Sequence, residues 1–366
     1  MHRLAGRAVF SVGAATYLWE DVLLAAHLWS EWGPLTERAT EGIACRKHLG
    51  KQDEAPADDE IDELGEAWRY ERDLLSADDM QVWLSERQLE MDEWNDYIDR
   101  AAARRRCATD LARIGKAVPA AEVDAVLYAE AMCSGILGDL AGALAARVAV
   151  HERLASEEKT GAKTRSRAAP AARPSWCSKT ALRPLMARLP GSVKRDGMLS
   201  LGAAEAVERA EALACVTLSF DRFVDRVAAP AAVAREVQAH PLDWTRIDAD
   251  TVAFNVEETA REAALLVRED GLELAKAASV AHAAVAKAQY VIEETASPLR
   301  ERLVAALPGD LIGPVATEAG FLLIAVAKRT EPSAGNAMIR DRARQQLVGR
   351  TIQREITERV QWHERV

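Results

Sequence analysis

The sequence predicts a mainly α-helical protein carrying one small α+β domain. Alanine is abundant and β-branched runs are scarce, which favours helix because Ala is the strongest helix former. Apolar residues recur at spacings of three and four in several segments before residue 225, the mark of helices with one buried face. Short strand-like runs gather after Asp248. At 366 residues the chain is long enough for two or three domains with ordinary cores. Hydrophobic residues at 49% and charged residues at 28% place it among globular proteins and away from disordered ones. A net charge of -10 argues against a nucleic-acid partner for the whole molecule.

At the start, Arg3 and Arg7 precede the apolar run Ala8 to Ala15, which imitates a short secretory signal. The run meets Trp19-Glu20-Asp21 without a clear cleavage site, so a short strand or turn leading into a helix is expected instead. No stretch approaches the roughly 18 apolar residues of a spanning helix, and a soluble, cytoplasmic protein without a membrane partner is expected. Cys45, Cys107, Cys133, Cys177 and Cys215 stand singly, with no paired spacing and an odd count, and read as structural thiols. The histidines are equally dispersed, so neither metal nor cofactor is expected.

Residues 1–157 read as a helical domain. Trp19, Val22, Leu23, Ala26, Trp29 and Trp32 predict one helical face over 19–35, with the tryptophans as core. Eight acids between Asp53 and Glu66, around Pro56, predict an exposed loop leading into a helix. Ser76 with Asp79 three residues on forms a capping box, opening a helix with Met80, Trp83 and Leu84. A second helix carries Trp94, Tyr97 and Ile98. From Lys159 to Arg195 there are ten Lys or Arg and no acid, with four prolines, and a basic flexible linker is placed at 158–177. That tract would attract an anionic partner, but it lacks stacking aromatics beyond Trp176, and the linker reading is preferred.

A helical connector over 178–245 leads to strand, helix, helix, strand, helix, strand, strand between Asp248 and Ala327, the small α+β domain placed at 246–330. Residues 331–366 contain one long charged helix whose stripe of Ile339, Ala343, Leu347, Ile352, Ile356 and Val360 is expected to pack on the N-terminal domain. Gly135-Ile136-Leu137-Gly138 lacks the third glycine of a dinucleotide fold. Asp248 and Asp250, two apart on a strand, are a weak carboxylate pair.

Leu307-Pro308-Gly309-Asp310-Leu311-Ile312-Gly313-Pro314-Val315, followed by Thr317 and Gly320-Phe321-Leu322-Leu323-Ile324, resembles the closing signature of parvulin (PpiC-type) peptidyl-prolyl isomerases. Phe254 to Ala263 is similar to that family's first strand running into its first helix, and Asp92 to Ile98 resembles a helix of SurA-type chaperones. The resemblance implies a SurA-like helical N-terminal domain, a degenerate parvulin-like four-stranded domain and a long C-terminal helix. It also extends to PpiC-related proteins that assist maturation of ribosomally made, post-translationally modified peptides.

The family's two histidines fall here at Thr251 and Leu322, and its pocket phenylalanine at Leu299, with no methionine near. The resemblance therefore implies a non-catalytic peptide-binding chaperone or presenter, with Trp83, Trp94, Leu299, Phe321 and Leu322 as client contacts. Its expected partners are a client peptide or unfolded segment and a peptide-modifying enzyme. An active isomerase and a structural scaffold subunit are the alternatives.

Overall fold

A computed structural model describes residues 1–115, 117–162, 175–317, 320–333 and 335–364. The protein divides into two compact units, the first made of Met1–Phe223 with Ile352–Val366 and the second of Val224–Thr351. This division differs from the boundaries drawn along the sequence. The second unit takes in the first part of the long C-terminal helix, and most of the expected basic linker lies outside the described residues.

The first unit opens with strands β1 (Ala8–Val12) and β2 (Ala15–Leu18), followed by helices α1 (Trp19–Trp29), α2 (Trp32–Gln52), α3 (Asp58–Tyr70), α4 (Ala77–Glu86), α5 (Met91–Arg106), α6 (Ala120–Cys133) and α7 (Ile136–Ala162). Shorter helices α8 (Lys179–Met186) and α9 (Gly191–Asp196) lead into α10 (Ala203–Val227). The single helix expected over 19–35 is broken at Ser30, which takes the left-handed conformation with φ 66° and closes α1. Most of the expected acidic loop is helical. Asp58, Asp59 and Glu60 form the first turn of α3, where negative side chains complement the helix dipole. The Ser76 cap occurs as read: its hydroxyl accepts the Asp79 amide at 3.1 Å while the Asp79 carboxylate accepts the Ser76 amide at 3.0 Å.

Between α2, α5 and α6 lies a buried charge cluster. Glu130 is fully buried and accepts from Arg38 at 2.8 Å, Arg104 at 3.2 Å and Arg100 at 3.4 Å. Arg100 is itself fully buried and also pairs with Asp96. One anion thus holds three guanidinium groups from two helices. The reading of all five cysteines as thiols is corrected by a Cys177–Cys215 disulfide, which ties the turn before α8 to α10. Residues 38 apart gave no spacing signal for it, since only the fold brings them together. Cys45, Cys107 and Cys133 are buried thiols.

The end of the chain returns to its beginning. A three-residue strand, which is β7 in chain order (Val360–Trp362), pairs antiparallel with β1, so the expected terminal helix ends as a strand. Glu364 accepts from Arg7 at 2.9 Å and from the Trp19 indole at 3.0 Å, and Glu355 pairs with Arg153 and Arg359.

The second unit contains α11 (Pro230–Ala239), β3 (Arg246–Phe254), α12 (Glu257–Arg268), α13 (Leu274–Val280), β4 (Val285–Val291), α14 (Leu299–Ala305), β5 (Leu311–Thr317), β6 (Gly320–Thr330) and α15 (Ala337–Arg359) up to Thr351. The element order read between Asp248 and Ala327 is present. Its four strands form an antiparallel sheet in the order β4-β3-β6-β5. Ile247, Ala249, Ile324 and Val326 face a core closed by Leu303 of α14, while Val252, Phe254 and Leu323 face α12 and α13. Gly313 and Gly320 have φ of 116° and 119°, and a Cβ there would lie 2.5 Å from the Leu322 carbonyl and 2.3 Å from that of Phe254. Within this unit the first half of α15 packs Ile339 and Ala343 against Val233, Val237 and Trp244, and Arg350 forks onto Glu236 at 2.9 Å.

Among the described residues no single helix is long and apolar enough to cross a membrane. The charge cluster gives a direct test. Glu130→Ala leaves Arg100 buried beside two other guanidinium groups, and should lower unfolding free energy by about 3–5 kcal/mol in a urea titration. A loss under about 1 kcal/mol would mean that these cations reach solvent without the carboxylate.

Candidate functional site

Three tryptophans from successive helices meet in the first unit. Ile61, Leu64 and Trp68 recur at three and four on α3, so Trp68 turns inward with them. Trp68 is buried and donates its indole N–H to the Cys133 carbonyl at 2.8 Å. Trp83 of α4 meets it edge-on with ring centres 5.0 Å apart, and Trp94 of α5 lies tilted against it at 5.6 Å. These are the separations at which aromatic quadrupoles attract.

Two arginines brace the rings. Arg72 lies 4.2 Å from the centre of Trp68 while donating to the carbonyls of Trp68 and Cys133, each at 3.1 Å. Arg87 lies 4.4 Å from the centre of Trp83, and burial lowers its pKa from the ordinary guanidinium value. Tyr128 donates its hydroxyl to the Arg87 carbonyl at 2.5 Å and is pushed up to about 12, chiefly by burial. Burial likewise pushes the Cys133 thiol up to about 12, so beneath the rings it is a packed, protonated group rather than a nucleophile.

Hollows open on two sides of this aromatic cluster. Trp94 lines one of about 550 Å³ together with Ile61, Met80, Met91 and Ile98. Gly65 also lines it, where a Cβ would come within 3.2 Å of the Trp94 ring, a contact that Trp94 could meet only by shifting. Trp83 lines the other, of about 760 Å³, with Leu74, Val82, Met132 and Leu137 as apolar wall. Arg72, Arg87, Asp73, Asp79, Glu86, Asp139 and Glu364 supply its charged groups. Both volumes fall in the range of clefts that accept side chains or small ligands, and Asp62, Glu66 and Arg69 supply charged groups to the Trp94 hollow as well.

Of the expected client contacts, Trp83 and Trp94 therefore line separate hollows joined through Trp68. Sequence reading passed over Trp68, although its spacing of four from Leu64 was the available signal.

The other expected positions belong to the second unit. Leu299 and Leu322 are half-buried against the core on the α14 side of the sheet. Thr251 is buried two residues along β3 from Ala253, the residue opposite Leu322, and its hydroxyl donates to the Ala286 carbonyl at 3.1 Å. Phe321 packs on the α12 side instead, because neighbouring residues of a strand point to opposite faces. Leu322 and Phe321 therefore do not line one pocket. Asp248 accepts from Gln289 at 2.7 Å and pairs with Arg246 at 3.4 Å, whereas Asp250 stands opposite Lys287 in the ladder. Among the described residues no group of three or more His, Cys, Asp and Glu is placed to hold a metal ion.

The chain matches no protein-family model and no curated protein.

Trp68 should carry the stability of the aromatic cluster. Trp68→Ala removes a buried ring with two aromatic neighbours and a hydrogen bond, and is expected to cost about 3–5 kcal/mol in denaturant unfolding. Trp83→Ala, at a half-exposed position, should cost less. Equal losses would contradict the arrangement.

Proposed function

We propose that this chain is a non-catalytic peptide-binding protein, a chaperone or presenter that holds a client peptide or unfolded segment for a modifying enzyme. The client is a ribosomally made peptide undergoing maturation, and the work is done in the cytoplasm without cofactor, nucleic acid or membrane. The observation that carries this reading is the pair of hollows at Trp83 and Trp94, each combining Met, Ile or Leu side chains with charged groups. Aromatic and methionine side chains adapt to varied apolar partners, which suits a binder of extended, variable segments.

The small domain supports the same reading. Its strand order β4-β3-β6-β5, its helix placement and its glycines at 309, 313 and 320 agree with the resemblance to parvulins. On the face where that resemblance would place two histidines and a phenylalanine stand Thr251, Leu322 and Leu299. A prolyl bond isomerises over a barrier of roughly 18–20 kcal/mol, lowered by groups that stabilise the twisted amide. Two leucines and a threonine already bonded to a backbone carbonyl offer contact but little of that stabilisation.

The Cys177–Cys215 bond pulls against the cytoplasmic placement, since stable disulfides persist mainly in oxidising compartments.

The test pairs binding with catalysis in one sample. Short unstructured peptides should quench or shift tryptophan fluorescence on titration, with affinity falling about tenfold in Trp83→Ala or Trp94→Ala. Exchange of an X-Pro peptide followed by NMR should be no faster with the protein than without it, including in the Thr251→His, Leu322→His double variant. Acceleration like that of an active isomerase would overturn the reading, as would indifference of peptide affinity to both tryptophans in folded variants.

A further inference from the structure

The sheet of the second unit has two edges, and the surrounding residues treat them differently. β5 is obstructed. Arg268 donates to the carbonyls of Leu311 at 3.2 Å and Gly313 at 2.8 Å, and Arg302 donates to that of Pro314 at 3.2 Å. Pro314 has no N–H to offer, and the register shifts between Ile312 and Val315. Proline, cations and irregular register are the devices by which proteins keep a sheet edge from accepting another strand.

β4 has none of these apart from one lysine. Among the described residues its only strand neighbour is β3, and Val285, Ala286, Lys287 and Gln289 are exposed. Thr251 reaches the Ala286 carbonyl from β3, and Thr295 donates to the Val291 carbonyl at the strand's end. Among the described residues, no other group outside the ladder bonds the backbone of Val285–Val291. In an antiparallel ladder alternate residues turn both N–H and C=O away from their neighbour, so β4 presents a row of free donors and acceptors.

We propose that the β4 edge docks an extended peptide segment bearing an acidic residue, which adds to the sheet as a fifth strand. The proposal rests on the peptide-binding reading and gives it a backbone-directed site in the second unit. The charge preference comes from Lys287, which is exposed and, although opposite Asp250 in the ladder, makes no ion pair among the described residues. An acid facing it across the new pair is favourable. Ala286, Ala288 and Tyr290 point to the other face, and their small or flat side chains leave room for aliphatic residues on either side of that acid. A second copy of this chain fits less well. The antiparallel register that pairs two β4 strands over their full length sets each Lys287 diagonally beside its counterpart.

The probe is a synthetic peptide of alternating valine and threonine with one central aspartate. Its binding to the full chain is followed by fluorescence anisotropy and by amide hydrogen exchange. Expected are slower exchange across Val285–Val291, at least tenfold weaker binding when alternate peptide amides are N-methylated, and a preference that switches from the aspartate to a lysine-centred peptide in Lys287→Glu. Binding that leaves Val285–Val291 exchanging freely and ignores N-methylation overturns the edge site while leaving the peptide-binding reading intact. Failure of this probe and of every peptide used for the tryptophan titration removes that reading and the edge site with it. Protection of β4 that grows with protein concentration in the absence of peptide assigns the edge to a second copy, and overturns the proposal.

Discussion

The pairing of the last strand with the first is the constraint on which the first unit depends. β7 extends the sheet that β1 and β2 begin, and the residues around it are held by charge as well as by backbone: Glu364 by Arg7 and the Trp19 indole, Glu355 by Arg153 and Arg359. The second unit is consequently an insertion in the sequence of the first, entered after Phe223 and left at Ile352. Glu364 also lines the hollow beside Trp83. One charged group of that hollow is therefore supplied by the returning segment.

The chemistry of the buried groups fits holding better than reacting. Cys45 and Cys133 are pushed up to about 12, chiefly by burial, so at neutral pH they are thiols with little nucleophilic character. Glu130 is occupied by three guanidinium groups and serves to join α2, α5 and α6. The side chains that face open space around the aromatic cluster mix Trp, Met, Leu, Ile and Val with charged groups, and Arg72 and Arg87 stack on the rings rather than aim at a reacting atom.

Features set by local chemistry were legible in the sequence. The Ser76 and Asp79 cap, the glycines at 313 and 320, and the alternation of helix and strand after Asp248 each follow from residues close along the chain. Features set by distant partners were not. Cys177 meets Cys215 only because α10 passes the turn before α8, and Val360–Trp362 becomes a strand only because β1 offers an edge; alone, it continues a helical pattern. The left-handed Ser30 broke a helix whose apolar spacing runs on undisturbed. Within the candidate site Trp83 and Trp94 were visible as aromatics on helices, but Trp68, whose ring meets both, was passed over. The opposite facing of Phe321 and Leu322 was implied by strand alternation once β6 was accepted as a strand.

Photo-crosslinking tests the central claim, that this chain holds peptides through its apolar hollows and its open sheet edge, most directly. An unstructured peptide carrying a diazirine residue would be irradiated with the full chain and the adducts mapped by mass spectrometry. The account predicts adducts concentrated on residues lining the Trp83 and Trp94 hollows and on Val285–Val291. Adducts spread evenly over the surface, or none above a protein without such hollows, would contradict it.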